Sequence, residues 1–332
     1  MSELVLNWGI AAAGKISQDF CTAIKAVSLA NHNLHAIGAR SLERAKEFAQ
    51  KYDMSKYYGS YDELIADDKV NIIYVGTTNN THREICLKAI AAGKHVLCEK
   101  PMTINTSDLE EVLKAAEDKG VFFMEALWTR FFPIVEKFKE ACTNGSIGDI
   151  KYIISNFMVP INAVERLKEK DLGGGGLLDI GIYPIQMVCF LMDNEKPLKI
   201  SASGHLMSSG CDEAVAISLL YSNNRTAVIN MSTNCVQYAR TSVIGTKGLV
   251  EIPDFSWCPV EFIKSDKSVH SEKLPDCPPT NFTNSVGLIF EAEACREAIS
   301  KGLKQHHLAS HDNSRLIHHI IQESMKQLGC QY

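Results

Sequence analysis

The chain predicts an α/β fold in which an N-terminal doubly wound (Rossmann) domain is followed by an α+β domain built on a mostly antiparallel, open sheet. Three observations carry this. Residues 4 to about 124 alternate short apolar runs with stretches whose apolar residues recur at helical spacing. A glycine-containing turn separates the first apolar run from the first amphipathic one. After about residue 125 the apolar runs alternate with polar positions and are separated mostly by turn residues.

In the first region, residues 4–10, 34–39, 72–76, 95–98 and 122–124 read as strands, and 16–27, 42–52, 82–92 and 107–119 as helices. Such alternation implies crossover connections, hence a parallel sheet with helices on both faces. In the second, strands are expected at 150–158, 200–207, 214–221, 226–233, 241–245 and 248–252, with helices at 133–142, 183–192, 286–301 and 311–327. The division expected is a cofactor domain over 1–125 and a substrate-binding and dimerisation domain over 126–332. There is no internal repeat, and the glycine run 173–176 is too short for a linker.

Bulk properties exclude several classes. The 332 residues suffice for two substantial cores. With 45% hydrophobic and 22% charged residues and a net charge of −5, the chain has no electrostatic footprint for nucleic acid. Its 11 cysteines are scattered without CxxC spacing, so most read as small buried hydrophobes; neither a disulfide framework nor a metal site is expected. No basic leader, cleavage site or run of membrane-spanning length stands out. The expected compartment is a reducing cytosol, with no membrane partner, and sequons such as Asn281-Phe-Thr283 are expected to go unused.

The first turn reads Gly9-Ile-Ala-Ala-Ala-Gly-Lys-Ile-Ser17. Against the dinucleotide fingerprint G-x-G-x-x-G, the glycine positions fall on Ala12, Gly14 and Ser17, and only the central one is kept. Gly14 removes a side chain where a pyrophosphate approaches the backbone, while small Ala12 and Ser17 permit a tight turn and close helix packing. Ala12, Gly14, Lys15 and Ile16 are the candidate cofactor contacts here; an ordinary strand-to-helix turn is the plain alternative. The next signal is Ala39-Arg-Ser-Leu-Glu-Arg44, which lacks the acidic residue of an NAD site. Arg40 and Arg44, one helical turn apart, suit a 2′-phosphate, and Ser41 can cap the helix or bond to the same group. NADP is therefore the expected cofactor. A solvated helix N-terminus would also place arginines here, but two cations beside the positive end of a helix dipole are unfavourable unless an anion visits.

Thr77-Thr-Asn-Asn-Thr-His82 follows the 72–76 run as a polar turn, and Thr77 and Asn79 suit a nicotinamide ribose. His82 reads first as a surface histidine at a helix start. Glu99-Lys100-Pro101 places a lysine at the end of a buried strand, where ligands of open α/β sheets bind; a solvated loop lysine is the bland alternative. In the second region, Gly173-Gly-Gly-Gly-Leu-Leu-Asp-Ile-Gly-Ile-Tyr183-Pro184 joins a glycine run, which lets a ligand approach, to Asp179 and Tyr183. Four apart, these two share a face if a helix begins here and form a plausible acid/base pair. A tyrosine needs a nearby cation such as Lys100 to favour phenolate. A buried tyrosine bonded to a carboxylate is the competing reading.

Leu97-Cys-Glu-Lys-Pro-Met102, Met124-Glu-Ala-Leu-Trp-Thr-Arg-Phe-Phe-Pro133 and Leu178-Asp-Ile-Gly-Ile-Tyr183 are specific, and 44–51 and 58–61 add to them. Together they resemble the glucose-fructose oxidoreductase, inositol dehydrogenase and rhizopine-catabolism (Gfo/Idh/MocA) family over essentially the whole chain. The resemblance implies Tyr183 as general acid/base, Lys100 as its electrostatic partner and a contact to the nicotinamide ribose, and Glu99 and His82 on the cofactor side. It also implies Arg40 and Arg44 on the 2′-phosphate, Trp128 and Phe157 lining the substrate pocket, and a cis peptide before Pro101. For both aromatics plain core packing is the alternative. Most of the wider family carries histidine where this chain has Tyr183, which points away from its inositol dehydrogenases.

The expected activity is hydride transfer between NADP and a secondary alcohol of a vicinal diol or sugar. A reductase of dicarbonyl or keto-sugar compounds and a non-catalytic NADP-binding regulator stay open as alternatives. Apolar strands such as 214–220 and 227–231 on an open sheet make a homodimer the expected assembly.

Overall fold

A computed structural model describes residues 4–27 and 31–330. The chain divides into two compact units. The first comprises the chain up to Thr103, Ser107–Trp128 and Leu274–His311. Its sheet contains β1 (Leu6–Ala11), β2 (His32–Gly38), β3 (Lys56–Tyr58), β4 (Ile72–Val75), β5 (His95–Glu99) and β6 (Phe123–Ala126), in the order β3-β2-β1-β4-β5-β6. Every pairing is parallel. All four residues of β4 are buried, as a strand covered on both faces requires.

The crossovers carry α1 (Lys15–Val27), α2 (Leu42–Lys51), α3 (Tyr61–Ile65), α4 (Asn79–Ala91) and α5 (Thr106–Lys119). Ser60 caps α3: its Oγ accepts from Glu63 N–H at 3.2 Å and donates to the Glu63 carboxylate at 2.8 Å. Both β3 and α3 are absent from the sequence reading, because three and five residues are too few to display a period. α4 starts at Asn79 and not at His82, its polar first turn having hidden the helix.

The second unit comprises Ile104–Thr106, Thr129–Lys273 and the chain from Asp312 on. Its eight-stranded sheet contains β7 (Ile150–Met158), β8 (Lys199–Leu206), β9 (Asp212–Tyr221), β10 (Arg225–Ser232), β11 (Thr241–Gly245), β12 (Leu249–Ile252), β13 (Glu261–Lys264) and β14 (Val269–Ser271). The order is β14-β13-β12-β11-β7-β10-β9-β8, antiparallel throughout except for β7 with β10. Helices α6 (Pro133–Thr143), α7 (Ile182–Leu191) and α9 (His311–Leu328) complete it, and α7 packs on β7 and β10. Register sorts the sheet into two faces. Leu219, Ala227, Ile153, Val243 and Val250 lie opposite one another and are fully or nearly fully buried; the neighbouring row, Leu220, Thr226, Tyr152, Ile244 and Leu249, lies on the other face.

Two expectations change. A single cut near residue 125 does not describe the contacts, because α8 (Leu288–Ser300) packs against α1 and returns Leu274–His311 to the first unit. A helix joins a core through the surface it buries, which chain order does not reveal. The expectation that no run reaches membrane-spanning length also fails, since the helical stretch Lys170–Leu191 passes by length and by a mean hydropathy of 1.4. That window is 89% buried, as in the core helix of a globular fold.

Close packing of α1 on β4 generates a test. A Cβ on Gly76 would stand 2.5 Å from Ser17 Oγ, and Ser17 is fully buried with no hydrogen-bond partner for that oxygen among the described residues. Serine thus occupies a position where the fingerprint has glycine, and the glycine across from it makes the room. Gly76→Ala should cost about 1–3 kcal/mol in urea unfolding, as overpacking does. Adding Ser17→Gly should recover more stability than that change gives alone; identical losses in both backgrounds would refute the coupling.

Candidate active site

In the first unit the strand order reverses between β1 and β4, the topological switch point where open parallel sheets bind ligands at the carboxyl ends of their strands. The first turn leaves β1 there. Ala12 holds φ at 85°, a left-handed conformation, and its N–H donates to Gly38 O at 2.9 Å. The fingerprint backbone is therefore kept although its glycine is not, at a cost of about 1–2 kcal/mol for a residue with a Cβ. A Cβ on Gly14 would meet nothing closer than Gly76 O at 3.6 Å, so protein packing does not demand a glycine there. Close approach of a ligand would. Lys15 is exposed on the first residue of α1, and Ile16 is half-buried beside it.

Ser41 caps α2, its Oγ accepting from Arg44 N–H at 3.4 Å. Arg40 and Arg44 are exposed, and among the described residues neither forms an ion pair. Tyr61 marks where they converge: burial raises its phenol, and both guanidinia draw it down. Tyr61 lies in the 58–61 stretch that adds to the family resemblance, but its place beside the two arginines went unread, since α3 is too short to recognise. A pair of cations at this strand end without a carboxylate partner is an anion-binding arrangement.

His82 is not on the surface. It is fully buried, with Nδ1 2.9 Å from Pro101 O and Nε2 3.2 Å from Thr77 O, so it braces the Thr77 turn against the segment after Lys100. Burial is the leading effect and lowers its pKa. Thr77 accepts a hydrogen bond from Thr81 Oγ1 at 2.8 Å, and Asn79, half-buried, opens α4. The peptide before Pro101 is cis, and Lys100 is half-buried at the end of β5. Glu99 is turned inward: Tyr74 donates to its Oε1 at 2.5 Å, and its carboxyl is raised, chiefly by burial. Any contact of Glu99 with a cofactor falls to its main chain. Glu125 Oε1, also buried, accepts from Met102 N–H at 3.0 Å. Trp128 is 3% exposed.

The second unit carries the other candidates. Tyr183 is the second residue of α7 and half-buried, and a π-helical turn, Leu177–Gly181, leads into it in place of a simple helix start. Such turns recur at functional sites. Asp179 lies in that turn, and its carboxylate pairs with Arg166 at 2.8 Å, a partner not foreseen from sequence. The glycine run serves the chain's own packing more than a ligand. A Cβ on Gly174 would come within 2.8 Å of the Leu167, Arg166 and Glu169 carbonyls, and one on Gly176 within 2.8 Å of Met231. Phe157 meets the Tyr183 ring edge-on at 5.7 Å and stacks on Trp257 at 4.4 Å. Trp257 went unnoticed in the sequence because it lies outside the recognisable motifs; Thr129 Oγ1, bonded to its carbonyl at 2.5 Å, holds it. Together the three rings can form one wall of an apolar, alcohol-accepting surface.

Residues 6–127 match the model of an oxidoreductase family with an NAD-binding Rossmann fold, and residues 135–251 match the GFO/IDH/MocA C-terminal domain. Trans-1,2-dihydrobenzene-1,2-diol dehydrogenase of Xenopus laevis is 40% identical over 329 residues, covering 99% of this chain and all of the relative. The enzyme of that name from Sus scrofa is also 40% identical, covering 98% of each chain. Among solved structures, levoglucosan dehydrogenase in complex with NADH and levoglucosan superposes with a TM-score of 0.84 at 20% identity, covering 97% of each chain. The chain belongs to the Gfo/Idh/MocA oxidoreductase family.

Proposed function

We propose that the chain is an NADP-dependent dehydrogenase that oxidises a secondary alcohol of a trans-dihydrodiol or of a pentose or hexose sugar. That it is a nicotinamide-dependent oxidoreductase of CH–OH groups follows from its family and its full-length relatives, which removes the regulator reading. The diol is favoured by the relatives' named activity, since sequence identity near 40% extends over the whole chain. The observation that carries the choice of NADP is the pair Arg40 and Arg44, both acting on Tyr61 and without a carboxylate partner among the described residues, where an NAD site needs an acid. When bound, the nicotinamide accepts the hydride. Tyr183 takes the hydroxyl proton, and Lys100 supplies the positive charge that favours its phenolate. Keto-sugar or dicarbonyl reduction is the same chemistry run in reverse.

The rest of the reading concerns assembly and place. Leu220, Tyr152 and Leu249 are 42%, 38% and 41% exposed in one row across the sheet. They, and not Ala227, Ile229 and Met231, which are buried, offer the apolar face for a homodimer. No described cysteine forms a disulfide, which fits a cytosolic location.

Arg40→Ala should weaken NADP binding by about 1.5–3 kcal/mol, the range of a charge-assisted bond, and leave NAD binding nearly unchanged. Isothermal titration with both cofactors checks this, and equal affinities in the unmutated protein would defeat the assignment. Tyr183→Phe should fold and bind NADP normally while turnover of dihydrodiols and D-xylose falls roughly 10²–10⁴-fold. Lys100→Met should also cut turnover, and its residual activity should require higher pH, because loss of a cation raises the phenol pKa. A fast Tyr183→Phe enzyme would move the base elsewhere. Light scattering should give a dimer at micromolar concentration, and Leu220→Lys should produce a monomer; a monomeric parent protein would rule out the sheet interface.

A further inference from the structure

Asp212, the first residue of β9, is fully buried, and its Oδ2 accepts from the main-chain N–H of Leu177 at 2.6 Å. Leu177 opens the π-helical turn, whose preceding residue, Gly176, has no side chain to cap it. Nor can Gly176 acquire one, because a Cβ there would meet Met231 at 2.7 Å. The turn's N-terminus is thus capped from another strand by a carboxylate, and Tyr183 lies six residues further along the same continuous helical segment.

We infer that Asp212 is a positioning residue for proton transfer by Tyr183, its carboxylate fixing the start of the turn that leads into α7. This rests on the reading of Tyr183 as the base. The arrangement is unlike a device selected for stability. Asp212 Oδ1 has no hydrogen-bond partner among the described residues. Burial pushes the carboxyl up to about 6, against the main-chain N–H groups of Leu177 and Gly176, which draw it down. An acid raised in this way stabilises the fold when protonated, and that contribution is lost as pH rises through about 6. The ionised form therefore weakens the fold while making the stronger bond to Leu177. The charged and titratable groups on the flanking elements are Cys211 beside it in the chain, Glu213 and Tyr221 on β9, Lys199 and His205 on β8, Arg225 on β10, the Asp179 and Arg166 pair, and Lys170 and Cys330 at Gly210; none of them acts on the carboxyl, which feels burial and main-chain N–H groups alone.

The test compares Asp212→Asn with Tyr183→Phe in the full-length chain, reading kcat and KM against pH, urea unfolding, and amide hydrogen exchange over 177–183. For Asp212→Asn at about pH 8, kcat should fall about tenfold while KM for NADP stays within about twofold. The acid limb of kcat near pH 6 should vanish, and the unfolding midpoint should be unchanged or higher, which a merely structural residue would not allow. An Asp212→Asn enzyme with the parent's kcat and pH profile, beside an inactive Tyr183→Phe, overturns this proposal alone. An active Tyr183→Phe overturns the reading beneath it and the proposal together. Should Asp212→Asn fail to fold, the unmutated chain decides: intrinsic-rate-corrected exchange at Leu177 should be faster at about pH 5 than at about pH 8, and equal protection overturns the proposal.

Discussion

The second unit depends on one buried cation. Arg130 is 2% exposed, so its guanidinium must find its partners inside the protein. It donates through Nε to Gln186 Oε1 at 2.8 Å, through Nη2 to Gln186 O at 2.8 Å and through Nη1 to Asn313 Oδ1 at 3.1 Å, with the Phe190 ring 5.6 Å away. Three segments distant in sequence are tied at one point: the stretch before α6, the middle of α7 and the start of α9. Gln186 is three residues beyond Tyr183 on α7, so the bond network that satisfies a buried charge also fixes the helix carrying the proposed base. Each of these bonds joins a charged donor to a neutral acceptor, so losing one costs about 1.5–3 kcal/mol, the range of a hydrogen bond to a charged group.

In the first unit the corresponding constraint is space. The first turn must bring α1 against the end of β4 while leaving room for a phosphate, and the fingerprint usually meets both demands with glycines. Here one glycine remains. Ala12 accepts a left-handed backbone, and Ser17 fills the place that Gly76 vacates across the interface. A degenerate motif can therefore keep the backbone of the intact one, since the requirement is on local volume and dihedral angles and not on residue names.

Burial also separates the residues available for chemistry from those that support them. The pair His82 and Glu99 sits beside the proposed site in sequence, yet the His82 ring nitrogens lie against two main-chain carbonyls, to one of which the neutral ring can donate, and Glu99 accepts from Tyr74, both behind the surface. Glu291, buried with neither carboxylate oxygen hydrogen-bonded among the described residues, is raised well above the usual carboxyl range by burial and by Glu99. Such groups stay neutral or paired and shape the strand ends without meeting solvent.

The sequence by itself determined the alternation of strands and helices, the antiparallel second sheet, the first turn and the motifs around Lys100 and Tyr183. These are local patterns: periodicity, turn chemistry and short residue strings are properties of neighbouring positions. It was silent on β3, α3, β13 and β14, which are too short to show a period. Only the tertiary structure decided that Leu274–His311 belongs with the first unit, that Tyr61 stands where Arg40 and Arg44 converge, that Arg166 pairs with Asp179, and that Asp212 caps the turn before Tyr183. Each depends on residues 13 to more than 200 positions apart, or on the partner of a buried polar atom. Chain order does not encode either; packing brings the groups together, and burial then makes each polar atom's partner matter.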